Sequence, residues 1–306
     1  MKSHKQEATH GQHAAPTTGA SAAQAPAKKS KGWRLAYRVA IVVFICALLA
    51  LGAIVLSYWL GQRAYDELAD EAGLNTDATL EAMTVDWDKL KSINPDIVAW
   101  IYVPGTVINY PVCQADDDTY YLTHSFDGGE GVITHFGTIF LEAKNSSDFS
   151  DPNNFLYGHH MRNGSMFAAI AAMQDVDNYN EHRTIYLLTP QGNYHLRSFS
   201  MVHSSADDAI VQTTFSSEKS FQNYVQDKID RNIFNDDTIP AASEIKRTFA
   251  FATCDELPTD GRYILFAYEE KSTVPGDTCA TGIYGSSSTD QSAVNEVRGA
   301  TEKAAA

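Results

Sequence analysis

From Val39 to Leu60 the chain reads VAIVVFICALLALGAIVLSYWL, a run of 22 residues without a charge. Wound as an α-helix rising 1.5 Å per residue it is roughly 33 Å long, enough to cross a hydrocarbon core of about 30 Å. It exceeds the apolar region of about 7–15 residues in a signal peptide, and no small-residue cleavage pattern follows it directly. The sequence therefore predicts a retained membrane anchor. Tyr58 and Trp59 fall where interfacial aromatic residues gather, and Cys46, inside the run, reads as a small hydrophobe.

Charge gives the anchor a direction. Seven basic residues against one acid precede Val39, a net of +6, which leaves −21 on the remainder of a chain whose formal net charge is −15. The basic flank, followed beyond the run by Asp66, Glu67, Asp70 and Glu71, predicts a cytoplasmic N-terminus and an exterior domain, in a single-pass protein of the cell membrane that touches membrane lipid through its N-terminal helix. So acidic an exterior argues against a nucleic-acid partner, because binding phosphates needs a surplus of cations. Residues 1 to about 31 are rich in Ala, Gln, Thr, His, Gly and Lys and cannot bury enough apolar surface to offset chain entropy.

Five segments are expected: a disordered basic tail (1–38), a membrane helix (39–60), a stalk with N-terminal helices (61–94), a β domain (95–270) and a flexible tail (271–306) that holds Cys279. In the stalk, Leu80, Met83, Trp87 and Leu90 recur at spacings of three and four, an amphipathic helical pattern. From Asp96 to Glu270 short runs enriched in β-branched and aromatic residues alternate with turns: IVAWIYV, TIFLE, NNFLYGH, TIYLLT, NYHLRSFSMV, RTFAFATC and RYILFAYEE. They predict an antiparallel sheet or barrel. Helical patterns interrupt it at about Ser165–Met173 and Glu218–Ile229.

The four cysteines show no CxxC spacing, which argues against a zinc ribbon or a thioredoxin-type pair. Cys113 lies in the apolar YPVC run and reads as core. Cys254 ends the strand RTFAFATC beside the turn-forming DELPTDG, an accessible place for a nucleophilic thiol, and Arg262 opens the next strand. His159 and His160 follow Gly158 at another strand end, where an imidazole can take and return a proton near neutral pH. His124, His135, His182, His195 and His203 are weaker candidates. Asp116, Asp117 and Asp118, or Asp148 and Asp151, lack the alternation and the bidentate Glu of an EF-hand loop, so they read as solvated turn acids and no metal is expected.

The order His, Cys, Arg, in an exterior β domain on a membrane anchor, resembles the sortases, and class B most closely. The likeness covers about Leu80 to Glu270 and is carried by NPDIVAWIYVPGTVINYPVCQ, DTYYL, GTIFL, YGHHM with GSMF, and ATC followed by GRYILFA. The resemblance implies a mainly β fold: a closed eight-stranded barrel with N-terminal helices and a helix inserted before the Cys strand. It implies a cysteine transpeptidase, without a cofactor, that cleaves a C-terminal sorting signal of a secreted surface protein after Thr. The protein is then passed to an amine of a peptidoglycan precursor or a pilin. By the same resemblance His159, Cys254 and Arg262 are catalytic, and Tyr157, Asp118, Leu122, Thr253 and Asp255 bind substrate. Two departures stand out: Ala252 where class B members often carry Ser, and Asp118 in place of Asn. A papain-like or cell-wall cysteine peptidase is the first alternative, although such enzymes place Cys before His. A catalytically inactive, membrane-tethered binding domain is the second.

Overall fold

A computed structural model describes residues 31–130, 136–205, 211–254 and 261–275, with Lys31 and Cys254 described through their backbone. The expected tail up to residue 30, His135, Asp255 with the rest of the turn to Asp260, and the C-terminal segment from 276 with Cys279 lie outside the described residues.

The chain divides into two compact units, one up to Ala50 and one from Leu51 onward. In the first, helix α1 (Lys31–Ala72) begins inside the segment expected to be tail. Once a long apolar run has nucleated a helix, extending it over Gly32–Arg38 fixes only one residue per added hydrogen bond. Its apolar side chains, among them Val43, Phe44, Leu49 and Leu51, are exposed, and α1 is long and apolar enough to cross a membrane.

In the second unit α1 runs on to Ala72, where Gly73 takes a positive φ of 66° and ends it. Leu80, Met83 and Leu90 are buried as the stalk pattern required, yet the helix there is only α2 (Trp87–Ile93), started by Asp86, whose side chain accepts from Lys89 N at 3.0 Å. Leu80 and Met83 sit in turns instead. The Asn193 amide donates to both of their carbonyls at 2.8 Å, so a barrel strand takes acceptors that a longer helix would have used internally.

The barrel strands are β1 (Ile97–Tyr102), β2 (Asn109–Cys113), β3 (Ile139–Leu141), β4 (Asn153–Tyr157), β5 (Thr184–Thr189), β6 (Gly192–Ser204), β7 (Thr248–Cys254) and β8 (Arg262–Ser272). They close in the order β1-β2-β3-β4-β7-β8-β6-β5, as the resemblance implied. The purely antiparallel alternative is corrected: β2 pairs with β3, and β4 with β7, in parallel. Parallel neighbours need a long crossover, and the β4-to-β7 crossover contains the inserted helix α6 (Glu218–Asp230). Ser217 caps α6, and Phe221, Tyr224 and Val225 are buried. The core is aromatic: Trp100, Phe140, Phe155, Phe199 and Phe249 are among its fully buried side chains.

Three short helices complete the fold: α3 (Tyr120–Thr123), α4 (Ala168–Ala172) and α5 (Val176–Glu181). The helix expected from Ser165 starts at Ala168, because Met166 has a φ of 54° that no α-helix accommodates. β8 continues to Ser272, past the boundary set at 270.

Candidate active site

Three strand ends meet on one side of the barrel. β7 lies between β4 and β8. It pairs with β8 in an antiparallel register that sets Cys254 opposite Arg262. It pairs with β4 in a parallel register that sets Tyr157 level with Ala252, and Gly158 N donates to Ala252 O at 3.1 Å. Two residues further along both chains come His159 and Cys254. With adjacent strands about 4.8 Å apart, topology alone brings His159, Cys254 and Arg262 onto neighbouring strand ends.

His159 is half-buried, and its Nε2 lies 2.6 Å from the carbonyl oxygen of Leu122 in α3. A carbonyl can only accept, so Nε2 carries the proton and proton exchange falls to Nδ1. Two glycines make room. A Cβ on Gly137, whose φ is 59°, would stand 2.5 Å from Tyr121 O and 2.9 Å from Leu122 O. A Cβ on Gly158 would stand 2.5 Å from Ile139 Cδ1. Tyr65 of α1 donates to the Gly137 carbonyl, fixing the same approach from the other side. Arg262 is buried at 2% exposure and lies within electrostatic reach of Tyr157.

Of the residues expected to bind substrate, Tyr157, Asp118, Leu122 and Thr253 are all buried. Tyr157 packs between Phe140 and Phe155, ring centroids 5.1 Å from each, and its hydroxyl donates to Glu142 Oε2 at 2.8 Å. Asp118 is no solvated turn acid: its Oδ1 accepts from Ala143 N at 2.7 Å, and its carboxyl is hydrogen-bonded to Glu142. Burial and then the Asp118 charge push Glu142 up to about 8, and burial raises Asp118 as well. Glu142, Gly137 and Tyr65 were missed in the sequence. A lone acid closing the apolar TIFLE run was the available sign for Glu142.

The remaining candidates are placed elsewhere. His160 bridges to Met166, so it does not extend the β4 alternation. His124 stacks on Tyr120, His182 meets Pro104 O at 3.1 Å, His195 meets Glu270 at 3.0 Å, and His203 packs on Tyr263. Asp117 accepts from Thr119 and Tyr120, Asp148 from Ser150, and Asp151 from Asn145 and Ser146, each holding a turn. Cys113 is fully buried, and burial raises its thiol well above the ordinary value. A cavity of about 660 Å³ lies between the later turns of α1 and the chain after α3, lined by Leu60, Leu68, Ile93, Phe126 and Phe136. Among the described residues, none from β4, β7 or β8 lines it.

Sortase B of Listeria monocytogenes is 28% identical over 221 residues, spanning 68% of this chain and 87% of that protein. The solved structure of Clostridium perfringens sortase B is 30% identical with a TM-score of 0.56, over 60% of this chain and 99% of that one. The chain belongs to the sortase B family. It is a cysteine transpeptidase, and the papain-like alternative falls with that assignment. A Staphylococcus aureus sortase B–substrate complex, 23% identical over 71% of this chain and 100% of that one, shares the fold at a TM-score of 0.62. No family model matches the chain.

Proposed function

We propose that this sortase is anchored in the cell membrane by residues 39–60, with residues 1–38 as a cytoplasmic tail and the catalytic domain outside. Its substrate is a secreted surface protein cut after a Thr in a C-terminal sorting signal. The observation that supports the catalytic assignment is the register of β4, β7 and β8, which brings the strand leading into His159 beside the Cys254–Arg262 pair.

In this reading the Cys254 thiolate attacks the Thr carbonyl, forming a C–S bond, while Arg262 donates hydrogen bonds to the oxygen as it gains charge. The tetrahedral intermediate collapses by breaking the C–N bond, and His159 gives its proton to the departing amine. An amine of a peptidoglycan precursor or a pilin then attacks the thioester, passes a proton to His159 and releases the thiolate. The thioester keeps the acyl group activated, so no ATP is needed outside the cell. Tyr157, Asp118, Leu122, Thr253 and Asp255 serve the substrate side, the four described ones from beneath the surface. A solved staphylococcal relative bound to its substrate supports a peptide ligand for this fold.

The test is a sorting-peptide library offered to the full chain in detergent, with and without an added amine. Transpeptidation requires an acyl-enzyme on Cys254 by mass spectrometry and an amine-dependent product. Turnover retained in Cys254→Ala overturns the nucleophile. An acyl-enzyme that only water resolves makes the chain a peptidase, and a Cys254 inert to every peptide and to thiol probes favours the inactive binding domain.

A further inference from the structure

Beneath the strand ends lies a buried carboxyl pair that takes no part in the bond-making and bond-breaking steps above. Glu142, just after β3, is fully buried, and Asp118, just before α3, is 3% exposed. Their carboxyl groups lie within hydrogen-bonding reach of each other, and in so buried a site two carboxylates that close are strongly disfavoured unless one holds a proton. Among the described residues no donor reaches the Oε1 atom of Glu142, so that oxygen is the one left to hold a proton toward Asp118. The proton therefore belongs to Glu142. The chain of donors runs from the Tyr157 hydroxyl to Glu142 and from Glu142 to Asp118, whose Oδ1 takes the Ala143 amide.

Both ends of this chain lead to His159. From Glu142 the path goes through the Tyr157 hydroxyl to the end of β4, two residues before the imidazole. From Asp118 it goes through the start of α3 to Leu122, whose carbonyl takes the His159 Nε2 proton at 2.6 Å. β4 and α3 are the two pieces of backbone that set the imidazole, and the pair joins them.

We propose that Asp118 and Glu142 share one proton and act together as positioning residues that hold His159 through Tyr157 and Leu122. This rests on the reading of His159 as the proton donor. The groups facing the pair are Asp117 beside Asp118, Lys144 on the chain after β3, Tyr157 from β4 and, beyond it, Arg262 from β8. When the shared proton leaves, at about pH 8, two anions face each other in a buried site and the chain of donors breaks.

The experiment uses the full chain in detergent. Infrared difference spectra against pH should show a protonated carboxylic acid that disappears near pH 8 and is missing in Glu142→Gln. The His159 ring resonances should shift across the same pH range and hold still in that variant. In sorting-peptide assays kcat should fall on the alkaline side in the parent and flatten in Glu142→Gln, with KM little affected. Glu142→Leu and Tyr157→Phe should each lower kcat by about tenfold, and the double variant should fall no further than either single one, because both act along one path. Multiplying losses, or an acid band and histidine shifts that survive in Glu142→Gln, overturn the proposal. The spectra need no turnover, so they judge the pair even where Cys254 proves not to be the nucleophile.

Discussion

Two cysteines end strands of this barrel, each beside a parallel neighbour, and their settings differ in chemistry rather than in position. Cys113 closes β2 next to β3, and Cys254 closes β7 next to β4. Burial, and then the negative charge of the Asp96 carboxylate, hold the Cys113 thiol protonated, although the Asn94 amide donates to its Sγ at 3.6 Å. The backbone neighbours of Cys254 are an arginine across the antiparallel register and, one parallel strand away, the chain that leads into His159. A strand end is not what makes a thiol nucleophilic. In the proposed mechanism it is the charge carried by the adjoining strand ends that decides.

The sharpest way to break this contrast is to exchange the roles. Cys254→Ala should bring acyl transfer below detection, whereas Cys113→Ala should leave an acyl-enzyme that mass spectrometry still sees. In the native state a thiol probe should label Cys254 and spare Cys113. Next in size, Arg262→Ala should lower kcat by about 10²–10³-fold, the typical loss for one oxyanion donor, with the fold intact by circular dichroism. An unchanged rate would remove arginine from the difference between the two cysteines.

Gly137→Ala should then cost roughly 1–2 kcal/mol from its positive φ alone, and more from the 2.5 Å approach to Tyr121 O. It should depress kcat as well, because Leu122 O and the imidazole it holds must shift; thermal unfolding and turnover read the two effects separately. A smaller effect belongs to Glu142. Its folded value of about 8 lies above its ordinary 4.5, so its contribution to stability is complete below about pH 4.5 and is lost as pH rises to about 8. Glu142→Gln should flatten that slope in denaturant titrations across the window. Smallest is Cys113→Ala on stability, about 1 kcal/mol for a small void in the core.

Much of the fold could be read in the chain. Alternation in IVAWIYV and RYILFAYEE, and aromatic enrichment in RTFAFATC, mark strands because a pleated, half-buried surface selects those side chains locally. The Glu218 helix is likewise a local pattern, one apolar face carried by Phe221, Tyr224 and Val225. The parallel pairings were not legible, since nothing within β4 or β7 states that segments so far apart will lie side by side. The short α2 escaped as well, because what shortens it is Asn193, a residue on the far side of the sequence. For the site, His159, Cys254 and Arg262 could be named from motif likeness, but their adjacency is a property of the register. Asp118 was misread as a solvated acid because its burial comes from Glu142 and Ala143, partners that only the closed barrel supplies.

The order of strands around the barrel also sets when the enzyme can first react. β7 and β8 are the last of the described strands, and they fill the gap between β4 and β6. They carry Cys254 and Arg262 together, while His159 waits on β4. A chain still being made, lacking that final hairpin, holds a histidine with no thiol beside it. Such late, distant pairings form slowly. In the proposed mechanism reactivity thus arrives in one step with the completion of the fold, and a nascent or partly folded copy has no means of acylating itself on the wrong peptide.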